Sequence, residues 1–527
     1  MPRSSRGLLV VSLLLGAAAC GPSPEPSAPP EGPALVVLLV IDQLSAELLD
    51  RYASVYGGGL RRILDTGFRF ENATHDHAGT VTAAGHTTLS TGVYPTRHGI
   101  VNNEWFEREG DEWRSVYSVS DPDAEILGHP DLEGMGPAHI ERPGLADWIA
   151  ARDPRSRIVS ISKKERSAIG LSAQAVGDVY WLPETEAEFV TSDAYMSSYP
   201  DWVRDFNRTQ MPTLHGDTIW ESIVPPALAS LSRPDTSRWE FDREDTTFPH
   251  RASDRVDMSD ARALNEWRWD YTPFPDRAIV SLVLEAVRAL ELGQRGSVDF
   301  LGIGLSQTDR IGHTFGPGSR EQLDNLIRLD AELGRLFAAL DAQVGEGHWV
   351  LALSADHGVL EIPEHLADEG LLAGRLTREE RAQLAARIEA ASAGGEWAIR
   401  EAVAGLPFVA AAYTFEEIER GAPADSFAVL YAHSHSRTRV VSLAARSGVY
   451  VRYQPNLLQV NTSATTHGSP YYYDRHVPLI FLGAGIPAGV SAERVATVDV
   501  APTLAALAGI PAPDDLDGRP VATLLGR

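Results

Sequence analysis

Several short, largely apolar runs in this chain end the same way, with an acid or a histidine just past the last apolar residue. Residues 36–41 (VVLLVI) run into Asp42, residues 300–305 (FLGIGL) are followed by Asp309, and residues 349–353 (WVLAL) are followed by Asp356 and His357. Continuous apolar runs of this length, without polar alternation, are strands buried on both faces, as in a parallel sheet covered by helices. Open sheets of that kind bind ligands off the carboxyl ends of their strands, so these side chains are expected to converge on one edge. Helical stretches alternate with the strands. Residues 279–290 carry apolar side chains at helical spacing, and Leu323, Leu326, Ile327, Leu333, Phe337 and Leu340 form a second stripe opened by a Ser319-x-x-Gln322 capping box. The expected fold class is therefore α/β, with both stripes in the core.

Length and charge narrow the function. The 527 residues are 43% hydrophobic and 22% charged, enough for one large α/β unit or two to three smaller domains, and they exclude disorder as the dominant state. Lys+Arg is 46 against Asp+Glu 72, a net charge of -26, whereas a nucleic-acid backbone calls for a basic surface. No nucleic-acid partner is expected. Only two of the basic residues are lysines, the adjacent Lys163 and Lys164.

The N-terminus reads as an export signal over residues 1–19: Arg3 and Arg6, an apolar run over 8–15, then small residues leading to Cys20. That run is too short to span a bilayer, and Ala17-Ala18-Ala19-Cys20 resembles a bacterial lipobox, in which the cysteine is lipidated. Ordinary signal cleavage near Ala19 is the alternative. Residues 20–33 then form a lipidated cysteine and a proline-rich tether, and the folded body is expected over 34–527. The implied location is periplasmic or outer-membrane-anchored, with the lipid as the only membrane contact. Cys20 is the only cysteine, so disulfides within the chain are excluded.

Asp42, Asp309, His313, Asp356, His357 and His467 make a set of six acids and histidines, enough ligands for two zinc-type sites. Paired divalent ions can clamp the attacking and leaving oxygens of a phosphoryl transfer. The segment from Thr80 to Gly92, with Thr82 near its start, adds a hydroxyl at the entry to an expected helix, whose free N–H groups favour an anion. Thr82 is either a nucleophile activated by a metal or simply a helix N-cap.

Together Asp42, Thr82 in TAAGHTTLSTG, His98-Gly99-Ile100, Asp309 and His313 in TDRIGHTFGP, Asp356-His357 and Thr466-His467-Gly468 resemble the alkaline phosphatase superfamily. More narrowly they are similar to its threonine-nucleophile, PafA-type monoesterases, with the nucleotide pyrophosphatase/phosphodiesterases as cousins. The resemblance covers about residues 35–520. It implies a three-layer α/β/α sandwich with a mostly parallel central sheet and inserted cap segments. It also implies two zinc ions, one on Asp309, His313 and His467, the other on Asp42, Asp356, His357 and the Thr82 oxygen. Thr82 would carry the phosphoryl group and Asn103, 21 residues on, would donate to it, with Asn102 as the fallback. Lys164 and Arg166 match the Lys-x-Arg element of the monoesterase branch, whose dianionic substrates such cations suit. Ala84 departs from the usual proline before the Gly-His.

Lys163 and Arg157 are expected to face solvent. Residues 180–277, rich in tryptophan, proline and acids, are expected as a cap beside the site whose aromatics mainly pack, and residues 362–424 as a second, helical and charged insertion. His433 and His435 are left as loop residues. The expected function is zinc-dependent hydrolysis of small phosphate monoesters through a phosphothreonine. The alternatives are a phosphodiesterase or nucleotide pyrophosphatase on the same core, or a catalytically silent binding lipoprotein.

Overall fold

The computed structural model describes residues 32–241, 246–421, 425–459 and 462–526. The signal segment, Cys20 and most of the tether lie outside the described residues. Eight strands form the central sheet: β1 (Leu35–Ile41), β2 (Phe68–Thr74), β3 (Ile158–Ser162), β4 (Asp178–Trp181), β5 (Asp299–Leu305), β6 (Trp349–Ser354), β7 (Leu479–Gly483) and β8 (Gly489–Ala496). Their order across the sheet is β8-β2-β7-β6-β1-β5-β3-β4. Only β7 runs against the rest.

Both faces of the sheet are covered, which is why its strands read as unbroken apolar runs. Along β1 the side chains alternate sides. Leu35, Val37, Leu39 and Ile41 join one buried cluster, and Val36, Leu38 and Val40 join another. Seven helices matter here: α1 (Thr82–Thr91), α2 (Leu145–Arg152), α3 (Glu165–Ser172), α4 (Phe274–Ala289), α5 (Gln307–Phe315), α6 (Arg320–Leu340) and α7 (Val500–Leu507). Ile279, Val283 and Val287 of α4 and Leu326, Leu333 and Leu340 of α6 cover the first face. Leu89 of α1, Leu145 and Ile149 of α2 and Leu504 of α7 cover the second. The result is the expected three-layer α/β/α arrangement. Ser319 Oγ accepts from Gln322 N at 3.0 Å, as a capping residue should, but Gln322 does not complete the box. Its side-chain amide instead donates to Thr308 O at 2.7 Å, tying α6 to α5.

Between 180 and 277 the tryptophans are mostly interior: Trp220 and Trp267 are buried, and Trp269 donates from Nε1 to Leu182 O at 3.0 Å. Residues 362–424 carry the helices Pro363–Asp368, Arg378–Ala391, Gly395–Ala404 and Phe415–Glu419. The strand Val409–Thr414 in this segment pairs antiparallel with Val449–Tyr453. A separate hydrophobic cluster runs from Leu376 to Val449, with Leu457 packed against it. Among the described residues no helix is long and apolar enough to cross a membrane.

Candidate active site

Four adjacent parallel strands, β6, β1, β5 and β3, end on one edge, and each delivers a charged side chain there. Asp356 and His357 follow β6, Asp42 follows β1, Asp309 lies in the first turn of α5 after β5, and Lys164 follows β3. His467 arrives by a different rule. It lies upstream of β7, and an antiparallel strand enters a sheet at the edge where its parallel neighbours leave it.

Two groups on this edge could hold a metal ion: Asp309 with His313 and His467, and Asp42 with Asp309 and His357. Asp309 Oδ1 lies 3.1 Å from His313 Nε2 and 3.5 Å from His467 Nε2. His357 Nε2 is 3.4 Å from both Asp42 Oδ1 and Asp356 Oδ2. Asp309 thus stands between the two groups, while Asp356 reaches the second through His357. Each histidine spends its Nδ1 on a backbone carbonyl: His313 on Thr465 at 2.8 Å, His467 on Thr80 at 2.8 Å and His357 on Gly358 at 3.0 Å. That partner fixes the ring and directs Nε2 into the site, the second-shell arrangement of metal-binding imidazoles.

The buried polar atoms Asp42 Oδ1, Asp356 Oδ2 and His357 Nε2 have no hydrogen-bond partner. Such atoms are costly unless something cationic or protic meets them. Burial, with Asp309 and Asp356 nearby, pushes the Asp42 carboxyl well above its ordinary range. Asp309 is buried too, yet His313 and Lys164 hold its carboxyl well below that range. A mixed carboxylate and imidazole donor set without thiolate suits zinc, so the residues fit the ion.

Thr82 is the first residue of α1; the cap position is Val81, whose side chain makes no capping hydrogen bond. Thr82 therefore sits one place past the N-cap, at an end with free backbone N–H groups. Asn103 is fixed beside it, its Oδ1 accepting from Ala83 N at 2.8 Å, while Asn102 Oδ1 accepts from Asn103 N. Gly85 lets α1 lie directly on the Asp356 backbone, since a Cβ there would overlap the Asp356 carbonyl oxygen. Ala84 is buried without a proline, and the helix still begins at Thr82.

Lys164 Nζ donates to Asp42 Oδ2 at 2.5 Å and to Asp309 Oδ2 at 2.6 Å. It thus holds the outer oxygens of one carboxylate from each group and leaves their Oδ1 atoms facing the imidazoles. Arg166 Nη1 donates to the Tyr117 hydroxyl at 3.0 Å and to Glu165 Oε1 at 3.3 Å.

Lys163 does not face solvent. It is fully buried, donates to Trp269 O at 2.7 Å and to Gln307 Oε1, and lies 3.6 Å over the Trp269 ring. Consecutive residues after a strand point to opposite sides, so one lysine enters the site and the other pins the 180–277 segment to the core. Burial, with Arg310 and Lys164 close by, lowers its amine well below the ordinary lysine range. Arg157 is half-buried and caps the Leu290 carbonyl. His433 ends a helix rather than a loop and stacks on Tyr94, while His435 bonds Glu419 at 3.0 Å; neither belongs to a metal-capable group.

Two partners were not anticipated. Gln43, in a left-handed backbone conformation, donates from N to Asp356 Oδ1 at 3.1 Å and from Nε2 to Asp309 Oδ1 at 2.7 Å. His86 Nδ1 lies 3.2 Å from Asp356 Oδ2 and 2.9 Å from Thr82 O. His86 stands one helical turn from Thr82, a spacing visible in the sequence. Nothing local marks Gln43.

With its relatives taken into account, this α/β chain is an enzyme, a hydrolase. The chain belongs to the type I phosphodiesterase / nucleotide pyrophosphatase family, within the alkaline phosphatase superfamily: the family model matches residues 36–468. It is similar to alkaline phosphatase PafA of Elizabethkingia meningoseptica, at 29% identity over 99% of this chain and 98% of that one. Alkaline phosphatase PhoV of Synechococcus elongatus is also 29% identical, over 94% of this chain and 93% of that protein. The crystal structure of wild-type PafA superposes with a TM-score of 0.84 at 27% identity, covering 95% of this chain and 100% of that one.

Proposed function

We propose that the chain hydrolyses small phosphate monoesters at a two-zinc site, with Thr82 as nucleophile. Asp309, His313 and His467 would hold one ion, and Asp42, Asp356 and His357 with the Thr82 oxygen the other. Bound zinc supplies Lewis acidity and positive charge, favouring ionisation of a nearby hydroxyl and neutralising the phosphoryl oxygens. Thr82 Oγ1 attacks phosphorus and loses its proton to solvent. The bond to the leaving oxygen breaks, and the departing alcohol takes up a proton. Water then attacks phosphorus, the bond to Thr82 Oγ1 breaks, and inorganic phosphate leaves as the threonine hydroxyl is restored. Asn103 donates to a phosphoryl oxygen through its amide, its Oδ1 being occupied by Ala83 N.

The observation that carries the monoester reading is Lys164, a buried ammonium placed between Asp42 and Asp309. It gives one hydrogen to each carboxylate and keeps a third for the substrate. Arg166, two residues on and bonded to Tyr117, would add a second cation. A monoester dianion has three non-bridging oxygens for these cations, whereas a diester has one charge and a second organic group in that space. The relatives named alkaline phosphatases support the same reading. Losing one charge-assisted contact to a phosphoryl group costs about 2–4 kcal/mol, roughly 30- to 1000-fold in rate. Lys164→Ala and Arg166→Ala are therefore each expected to lower kcat/KM for an aryl phosphate monoester by a factor in that range while changing diester turnover little. Equal losses on both substrates would favour diester cleavage as the function.

Export and anchoring form the second part of the reading, with Cys20 as the lipid attachment point of a periplasmic or outer-membrane-anchored bacterial lipoprotein. Metabolic labelling with a fatty acid should mark the wild-type protein and leave Cys20→Ser unlabelled. A mature N-terminus other than an acylated Cys20 would refute the anchor without touching the chemistry.

A further inference from the structure

A cavity of about 190 Å³ lies among residues that adjoin the proposed phosphoryl site in the chain. Its floor includes Val81, Asn102 and Gly468, the immediate chain neighbours of Thr82, Asn103 and His467. Its walls come largely from residues 431–473. They carry five tyrosines: Tyr431, Tyr450, Tyr453, Tyr471 and Tyr473. The rings are set in advance. Tyr431 stacks on Tyr450 with centroids 5.1 Å apart, Tyr471 stacks on Tyr473 at 5.7 Å, and the Tyr471 hydroxyl donates to the Tyr453 carbonyl.

The lining has no acid and one cation, Arg439, which is already engaged. Its guanidinium donates to Gly99 O at 2.6 Å and His139 O at 3.1 Å, and pairs with Glu141 at 2.7 Å. No charge on the walls is left for a second anionic group. A cavity of roughly 150 Å³ already takes a benzene-sized ring, so this one is large enough for a single flat ring system. Preset tyrosines bind such rings by stacking at small entropic cost.

We propose that this tyrosine-lined cavity is the leaving-group subsite, and that it selects monoesters of neutral, flat aromatic alcohols over monoesters of small aliphatic ones or of polyanions. The proposal rests on the monoesterase reading, because it is the ester oxygen of a phosphoryl group beside Thr82 that directs the ring into the cavity. The subsite belongs to residues 431–473 rather than to the tryptophan-rich 180–277 segment, none of whose indoles lines the cavity.

Non-hydrolysable phosphonates separate ring binding from leaving-group reactivity. Calorimetric titration of the zinc-loaded protein should show phenylphosphonate binding at least about tenfold tighter than methylphosphonate, the scale of one good stacking contact. In Tyr453→Ala that preference should fall to within about threefold, while the affinity for inorganic phosphate changes by less than about twofold and so reports an intact phosphoryl site. Val441→Trp, which narrows the cavity from another lining position, should reduce the same preference without removing a tyrosine. Phosphate binding with no phenyl preference in the wild type, or a preference unchanged in both variants, overturns the subsite alone. Failure of the zinc-loaded wild type to bind inorganic phosphate overturns the monoesterase reading and this inference with it.

Discussion

Replacing Thr82 with alanine is expected to cost on the order of 10³-fold or more in turnover, in keeping with the loss of a hydrolase nucleophile. Zinc stoichiometry and fold should both persist. The six acid and imidazole donors do not depend on the threonine, and each imidazole is oriented by a backbone carbonyl. α1 would also survive, because the residue at its cap position is Val81 and alanine is at home in the first helical turn. Thr82→Ser retains a hydroxyl and should keep a substantial part of the activity. Thr80 is the control: its hydroxyl donates to Ser469 O at 2.9 Å and is therefore already committed. If Thr80→Ala were the lethal change and Thr82→Ala mild, the assignment of the nucleophile would be wrong. Acid-trapped phosphate on any residue other than Thr82 would have the same force.

Removing divalent ions with a chelator is expected to abolish activity, with zinc restoring it better than magnesium. Imidazole from His313, His357 and His467 is a good ligand for zinc and a poor one for a hard ion that prefers six oxygens. Stability should fall as well. Asp42, Asp309 and Asp356 are buried within one site, and the Lys164 ammonium pairs directly only with Asp42 and Asp309. A ligand bound only to the folded state at about 1,000 times its Kd contributes ~4 kcal/mol. The chelated protein should therefore unfold several degrees lower in a thermal melt, and zinc should reverse the change. Full turnover by a protein shown to be metal-free would contradict the mechanism outright.

The strand ends were readable because a parallel sheet buried on both faces leaves a plain mark, an unbroken apolar run with an acid or a histidine just beyond. Asp42, Asp309, Asp356 and His357 follow from that mark. His467 carries no such mark of its own, since its position depends on β7 entering the sheet backwards, and direction is not written in a five-residue apolar run. Lys164 and Lys163 show the limit most directly. Adjacent in sequence and identical in type, they take opposite sides of the chain, one between two carboxylates and the other beneath Trp269. Gln43 was invisible for a related reason: its two partners lie 313 and 266 residues away. The pairing of the strand at 409–414 with 449–453 is non-local and so leaves no mark in either segment.

The central claim is that Lys164 and Arg166, at the edge proposed to hold two zinc ions, make this chain a monoesterase. It is tested most directly by kcat/KM of the zinc-loaded wild type for an aryl phosphate monoester and for the diester with the same aryl leaving group. The account predicts a clear preference for the monoester. A higher kcat/KM for the diester would contradict it.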